Sequence, residues 1–479
     1  MQPNIILINC DDLGYGDLGC YGSTINKSPS LDKMAEEGIR FTDFYMASPV
    51  CSPSRAAMLT GCYPPRIGFG DFYGQRVLFP GNAIGLNPNE ITIADLLKAQ
   101  GYATEIIGKW HCGDQPEFLP TRHGFDNYYG IPYSNDMGVQ SENYQNPPLP
   151  VLENENVVEL QPNQSDITDR YLERAIEFIN KNKDGRFFLY FAHMYVHLPI
   201  YVQDEFLKES SNGAYGGGVA KIDWVAGKIF EELAKLGLDE NTLVIFTSDN
   251  GSRVGGEGGN GIPGSSGLGS NAPLRGTKGT TYEGGMRLPC IMRWPGTIDA
   301  GKTCGQLLAS MDLFATLAKL GGANIPTDRV IDGNDFSNIL LEENSKSIVR
   351  EDFFYYNMNN LEAVRSGKWK LHVGKTVALA LTTGGLSSSG PYELMEVAEL
   401  YDLESDIGES NNVYEDHPDI VELLEQKLEL CRKDIGDESK SIEGVNIRPI
   451  GEIKRGEALS HHNPNHPLTI AMYDIPDRG

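Results

Sequence analysis

The sequence predicts an α/β protein: a large, mostly parallel sheet sandwiched by helices, followed by a smaller C-terminal α+β domain. Three observations predict it. Four short apolar runs each stop at polar residues, helical patterns lie between those runs, and the texture changes after about Arg350. Short apolar runs bounded by breakers read as buried strands. Strands that alternate with helices imply parallel pairing with covered faces.

The first run, Asn4-Ile5-Ile6-Leu7-Ile8-Asn9, ends at Asp11-Asp12. Thr104 to Ile107 ends at Lys109-Trp110-His111, Phe187 to Phe191 ends at His193 and His197, and Leu243 to Phe246 ends at Asp249-Asn250. Helical patterns cover Ser30 to Glu37, with Ser30 as N-cap, then Ile91 to Gln100, Asp169 to Lys181 and Val219 to Leu236. Gly38, Gly101 and Gly237 follow three of them in the place of C-caps. Gly251 to Ser270 is Gly- and Ser-rich, either a flexible connection or a substrate-side loop. Phe353 to Tyr356, Glu362 to Arg365 and Trp369 to Val373 read as antiparallel strands, and Ile420 to Cys431 as a helix packed on them. The boundary is set at 335/336, giving a catalytic domain of residues 1–335 and a smaller domain of residues 336–479. In open α/β sheets ligands bind beyond the carboxyl ends of the strands. That rule alone gathers Asp11, Asp12, Lys109, His111, His197, Asp249 and Asn250 at one edge.

The net charge of −26 argues against nucleic acid, which needs a basic face. An acidic protein that handles an anion must collect its cations in one place. No apolar run approaches the roughly 18 residues of a membrane span. The chain enters an apolar run directly after Met1-Gln2-Pro3, without a basic leader region. This leaves a cytoplasmic protein, or a periplasmic or secreted one whose leader was removed. The eight cysteines are scattered without metal-type spacing, so buried thiols are expected at all but Cys51.

Asp11-Asp12 and Asp249-Asn250 are hard oxygen donors, suited to Ca²⁺ or Mg²⁺ rather than Zn²⁺. Either pair alone would more often cap a turn. The segment Cys51-Ser52-Pro53-Ser54-Arg55-Ala56-Ala57-Met58-Leu59-Thr60-Gly61 is the specific one. It resembles the signature of the formylglycine-dependent (type I) sulfatases, in which a separate maturation enzyme oxidises the cysteine to an aldehyde. The resemblance covers most of the chain, in the arylsulfatase A-like branch of the alkaline phosphatase superfamily. Asp11-Asp12-Leu13-Gly14-Tyr15-Gly16 is similar to the family's first metal strand, Gly108-Lys109-Trp110-His111 to its Gly-Lys-Trp-His motif, and Thr247-Ser248-Asp249-Asn250-Gly251 to its second metal pair. Gly130 to Asp136 resembles an arylsulfatase A segment, Leu274 to Lys278 with Glu283 to Arg287 a distal lysine motif, and Leu400 to Glu404 the C-terminal domain.

The resemblance implies a roster of roles. Asp11, Asp12, Asp249, Asn250 and residue 51 would hold Ca²⁺, or Mg²⁺. The metal, Arg55, Lys109 and Lys278 would neutralise a sulfate ester. Hydrated formylglycine (3-oxoalanine) at residue 51 would attack sulfur. His197, in the His-x-Pro context of His197-Leu198-Pro199, possibly with Lys278, would protonate the leaving oxygen, and His111 would take a proton from the remaining hydroxyl. Ser134 either contacts sulfate or is a turn residue, and His193 either lines the pocket or is a satisfied core histidine. The expected partners are a sulfated carbohydrate or aryl sulfate and the maturation enzyme, with specificity residues in loops 70–90, 136–165 and 251–275 and in the C-terminal domain. Two alternatives stand beside this: a phosphonate or phosphodiester hydrolase of the same superfamily, and a silent sulfated-glycan binder with Cys51 unmodified.

Overall fold

The computed structural model describes residues 2–138, 147–253, 269–342, 348–378 and 392–461. In chain order the strands are β1 (Asn4–Cys10), β2 (Ile39–Tyr45), β3 (Ile84–Gly85), β4 (Ala103–Gly108), β5 (Asn127–Gly130), β6 (Pro150–Glu153), β7 (Asn156–Leu160), β8 (Phe187–Ala192), β9 (Thr242–Ser248), β10 (Arg287–Arg293), β11 (Lys302–Cys304), β12 (Leu308–Ala309), β13 (Asp352–Asn357), β14 (Asn360–Ser366), β15 (Trp369–Ala378) and β16 (Tyr392–Asp402). The helices are α1 (Pro29–Glu36), α2 (Cys51–Thr60), α3 (Ile93–Ala99), α4 (Ile167–Asn182), α5 (Asp204–Glu209), α6 (Gly213–Leu236), α7 (Glu283–Met286), α8 (Asp312–Gly321), α9 (Ser337–Leu341) and α10 (Pro418–Ile435).

An 11-stranded sheet runs β11-β2-β10-β9-β1-β8-β4-β5-β6-β7, with β12 beside β2. Its centre, β9-β1-β8-β4-β5, is parallel throughout. Antiparallel β10, β6 and β7 make the whole sheet mixed. The central strands are buried on both faces, so they read as unbroken apolar runs instead of alternating ones. Register then decides the site. Asn9 pairs with Ala192 and Ala192 with Gly108, while Cys10 pairs with Ser248. Asp11, Lys109, His193 and Asp249 therefore emerge at almost the same level from four adjacent strands.

Local details differ from the sequence expectation where packing intervenes. The N-cap of α1 is Ser28, because Pro29 takes the first helical position, where its missing N–H is no loss. Gly101 and Gly237 adopt left-handed backbone after α3 and α6, but Gly38 does not. A Cβ on Gly38 would meet the Met292 carbonyl oxygen at 2.1 Å, so this glycine serves close approach to β10. The long helix α6 starts at Gly213, six residues before the predicted Val219. Gly217 and Gly218 lie in its first turns, where a Cβ would press on Val202 and Val196. The bare helix start thus seats the loop that carries His197. Of the expected loop Gly251 to Ser270, residues 254–268 lie outside the described residues, as do 139–146 of the loop 136–165.

The smaller C-terminal domain carries an antiparallel sheet, β13-β14-β15-β16, with α10 packed on it. Its core is shared with the larger half: Tyr45, Ala57 and Met286 join one apolar cluster with Phe353, Tyr355, Leu371 and Leu424. Beyond α10 the chain returns, and the short strand Gly451–Glu452 pairs with β3.

Candidate active site

Cys51 is the first residue of α2, a ten-residue helix buried along its whole length. One turn of that helix fastens it to the strand ends. Ser52 Oγ accepts from Leu78 N at 3.1 Å, and Ser54 Oγ donates to the Asp249 carbonyl oxygen at 2.5 Å. Arg55 Nε donates to Asp249 Oδ2 at 2.8 Å and Nη1 to the Lys109 carbonyl oxygen at 2.9 Å. Arg55 is completely buried, so its charge is committed to Asp249 rather than presented to a ligand.

The carboxylates converge in front of Cys51. Lys109 Nζ lies 2.5 Å from Asp11 Oδ2 and 2.6 Å from Ser134 Oγ. Lys278 Nζ donates to Asp12 Oδ1 at 2.6 Å, and Asn250 Nδ2 donates to the same oxygen at 2.7 Å. Asp12 has a left-handed φ of 63°, which swings its carboxylate back beside Asp11. Among the described residues, three buried acceptors in this cluster have no donor: Asp11 Oδ1, Asp12 Oδ2 and Asn250 Oδ1. Each such orphan costs about 1–3 kcal/mol unless something else satisfies it. Ligand atoms of Asp11, Asp12 and His197 lie within 4.8 Å of one another, as do those of Asp11, Cys51 and Asp249. A set of oxygens with unused lone pairs and this spacing fits a hard divalent cation.

The electrostatics follow the same division. Burial raises the carboxyls, but Lys278 and His197 hold Asp12 well below the usual range, and Lys109 and His197 lower Asp11. Burial and the charge of Asp11 push Asp249 up to about 6 despite Arg55. Burial also pushes the Cys51 thiol up, against Lys109 and Lys278. A plain thiol here is therefore protonated near neutrality and a poor nucleophile.

Two histidines flank the cluster. His111 Nε2 is 3.0 Å from the Leu78 carbonyl oxygen, which can only accept, so Nε2 carries the proton. Its Nδ1 is buried and unpartnered. Burial and Lys109 hold His111 well below its ordinary value, which keeps that nitrogen free as a base. His197 Nδ1 lies 2.6 Å from the Leu198 carbonyl oxygen, which turns Nε2 to within 3.8 Å of Asp12 Oδ2. Burial and Lys278 lower His197, while Asp12 and Asp11 oppose them.

The structure brings Cys51, Arg55, Lys109, His111, Ser134, His197, Lys278, Asp11, Asp12, Asp249 and Asn250 together. His193 stands apart, packed between the rings of Phe191 and Tyr195 and accepting from Tyr195 N at 3.2 Å. Burial holds it down to about 3, so it is neutral, and its buried Nε2 has no partner among the described residues. Sequence reasoning missed the carbonyls of Leu78 and Leu198, which fix both imidazoles, and Tyr215, which donates to Asp17 Oδ2 at 2.5 Å behind Asp12. Backbone acceptors leave no side-chain signature, but Tyr215 beside three glycines was a visible one.

Comparison with known proteins gives a consistent picture. Residues 3–323 match the Sulfatase family model, and residues 277–434 match the model of the N-sulphoglucosamine sulphohydrolase C-terminal region. The chain is 41% identical to N-acetylgalactosamine-6-sulfatase of Rattus norvegicus over 385 residues, 78% of this chain and 71% of that protein. It is 38% identical to arylsulfatase A of Homo sapiens over 454 residues, 88% of this chain and 86% of the relative. A structure reported under metabolism of multiple glycosaminoglycans by Bacteroides thetaiotaomicron superposes with TM-score 0.75 and 30% identity, covering 90% of this chain and 99% of the other. A phosphonate monoester hydrolase of Agrobacterium radiobacter, at TM-score 0.58 and 17% identity, covering 90% and 95%, shares the fold.

Proposed function

Because the chain belongs to the sulfatase family and is a sulfuric ester hydrolase, we propose that residue 51 is its nucleophile, converted from cysteine to formylglycine by a separate maturation enzyme. We propose further that Asp11, Asp12, Asp249 and Asn250, with residue 51, hold one divalent cation, Ca²⁺ before Mg²⁺. The observation that carries this reading is the convergence of Cys51 with three donorless oxygens on Asp11, Asp12 and Asn250. The hydrated aldehyde supplies an oxygen nucleophile where a protonated thiol has none, and the cation supplies positive charge at the sulfate oxygens.

The remaining chemistry falls to the chain's own side chains. Lys109, Lys278 and Ser134 hold the sulfate oxygens, and Arg55 orients Asp249. His197 acts as the imidazolium, the form that Asp12 and Asp11 favour: with Nδ1–H held by the Leu198 carbonyl, it delivers its Nε2 proton to the departing alcohol oxygen and is left neutral. His111 Nδ1, kept unprotonated by burial and Lys109, receives the proton that residue 51 must lose. Residues 1–335 form the catalytic unit in this reading, and residues 336–479 the smaller one. The substrate class is a sulfated carbohydrate, in line with the named activity of the N-acetylgalactosamine-6-sulfatase relative.

The test joins mass spectrometry of the residue-51 peptide, elemental analysis and turnover of nitrophenyl sulfate, a 6-sulfated N-acetylgalactosamine and an aryl phosphodiester. Expected are formylglycine, stoichiometric Ca²⁺ or Mg²⁺, and sulfate-ester turnover far above that of the phosphodiester. Full activity with an intact thiol at residue 51 would remove the nucleophile assignment. Stoichiometric Zn²⁺ without Ca²⁺ or Mg²⁺ would remove the metal assignment.

A further inference from the structure

Lys278 sits in a turn closed by Thr280 N donating to the Thr277 carbonyl oxygen at 3.0 Å, with a glycine beside each end. Gly276 and Gly279 on either side have φ of +88° and +85°, a backbone region that glycine enters freely and leaves as freely. The turn fixes its own shape, but its placement, with Nζ at 2.6 Å from Asp12 Oδ1, is set by contacts from outside it. One set of ties comes from the active-site side. Lys278 N donates to the Ser252 carbonyl oxygen at 3.1 Å, and Gly279 N to the Pro49 carbonyl oxygen at 2.9 Å, two residues before Cys51.

The other set comes from the C-terminal sheet. Asn357, at the end of β13, donates to the Gly279 carbonyl oxygen at 3.3 Å. Glu362 of β14 accepts from Thr281 Oγ1 at 2.6 Å. Lys370 of β15 donates to the Thr281 carbonyl oxygen at 2.8 Å, to Glu283 Oε1 at 2.9 Å and to Glu409 Oε1 at 2.8 Å. Glu409 Oε2 in turn accepts from Glu283 N at 2.8 Å. Lys370 is completely buried, and its three donors are used on the Thr281 carbonyl and on the carboxylates of Glu283 and Glu409. A fully desolvated ammonium is a poor device for stability alone, since well-packed apolar residues of similar volume often do as well or better. It is a good device for fixing one backbone carbonyl in one place.

We propose that the C-terminal sheet acts in the reaction at one remove: Lys370, with Glu362 and Asn357, is a positioning residue that holds the Thr277–Glu283 stretch so that Lys278 reaches Asp12 and the sulfate. The proposal rests on the reading of Lys278 as a sulfate-binding residue. A misplacement of about 1 Å at a reacting centre is worth roughly 10²-fold in rate, so a device of this kind has a measurable output.

The experiment is a double-mutant cycle on the matured, metal-loaded enzyme with nitrophenyl sulfate, scored as kcat/KM beside thermal unfolding. The variants are Lys370→Met, the near-isosteric Thr281→Val, Lys278→Ala and the two combinations with Lys278→Ala. Expected is a loss of about 10–100-fold for Lys370→Met and a smaller one for Thr281→Val, with neither adding any loss in the Lys278→Ala background. A residue that only stabilises the fold would lower activity by the same factor in both backgrounds. Losses that multiply, or a Lys370→Met enzyme as active as wild type, overturn the proposal. If Lys370→Met does not fold, the Thr281→Val arm decides alone by the same criterion. A Lys278→Ala enzyme with wild-type kcat/KM would instead overturn the reading of Lys278 on which the proposal stands, a result distinguishable from multiplying losses.

Discussion

Two buried clusters of charge lie on either side of the Lys278 stretch, and they are built differently. Around Asp11, Asp12, Asp249 and Asn250, three oxygens face one another without a donor. Around Glu283 and Glu409, every carboxylate oxygen has one. Glu283 receives the hydroxyls of Tyr45 and Tyr355, the ammonium of Lys370 at 2.9 Å and a guanidinium N–H of Arg287 at 3.4 Å. Glu409 receives Lys370 at 2.8 Å, the His372 ring nitrogen at 3.0 Å and the Glu283 amide at 2.8 Å. Burial raises the Glu283 carboxyl, and Lys370 and Arg287 more than reverse that. The Glu283–Glu409 cluster is scaffold: its carboxylate oxygens are all answered within the chain, with His372 Nδ1 left unpartnered among the described residues. The unsatisfied one has three oxygens that no donor among the described residues answers. Both clusters are buried and mix carboxylates with cations, so the count of unanswered carboxylate oxygens is what separates the two.

The contrast can be broken by four measurements, from the largest effect down. Cys51→Ala should fold with wild-type thermal stability and lose roughly 10⁴–10⁶-fold in kcat, as expected when a nucleophile acting with its neighbours is removed. Substantial residual turnover, with host sulfatase excluded, contradicts the nucleophile. Next, His197→Ala should lose about 10²–10⁴-fold on a sugar sulfate, whose alkoxide leaves badly, and far less on nitrophenyl sulfate. His111→Ala should lose similar factors on both, because its proton transfer does not involve the leaving alcohol. Equal losses on the two substrates in His197→Ala would end its leaving-group role.

The satisfied cluster should respond in stability rather than chemistry. Glu283→Gln leaves Lys370 and Arg287 short of a buried counter-charge and should lower stability by about 3–5 kcal/mol in denaturant unfolding. An unchanged midpoint would mean that the network is redundant. The smallest effect belongs to metal. Calcium added to chelator-treated protein at one hundred times Kd should stabilise it by about 2.7 kcal/mol. Asp12→Asn should weaken that response and Glu283→Gln should leave it intact. A calcium response lost in Glu283→Gln and kept in Asp12→Asn would exchange the two clusters.

Much of this molecule is written locally. The runs Ile5–Ile8, Phe187–Phe191 and Leu243–Phe246 declare buried strands because strands covered on both faces carry no alternation. Their polar ends declare one functional edge because parallel strands end together. The residues from Cys51 to Arg55 declare their chemistry because the motif is contiguous. The sequence misplaced the cap of α1 because Pro29 takes the first helical position, and the start of α6 because the glycines at 216 to 218 make room for Ser210, Val202 and Val196.

By itself, then, the sequence determined the fold class, the site edge and the identity of nearly every side chain that meets there. Only the tertiary structure decided which of those side chains are already answered. Arg55 is committed to Asp249, 194 positions away. His111 and His197 take their tautomers from the carbonyls of Leu78 and Leu198. His193 is sealed between aromatic rings, and Lys278 is held in place from a different sheet. The physical reason is that a hydrogen bond is a property of a pair. Sequence patterns report what a side chain offers, whereas burial and long-range pairing decide whether the offer is taken up.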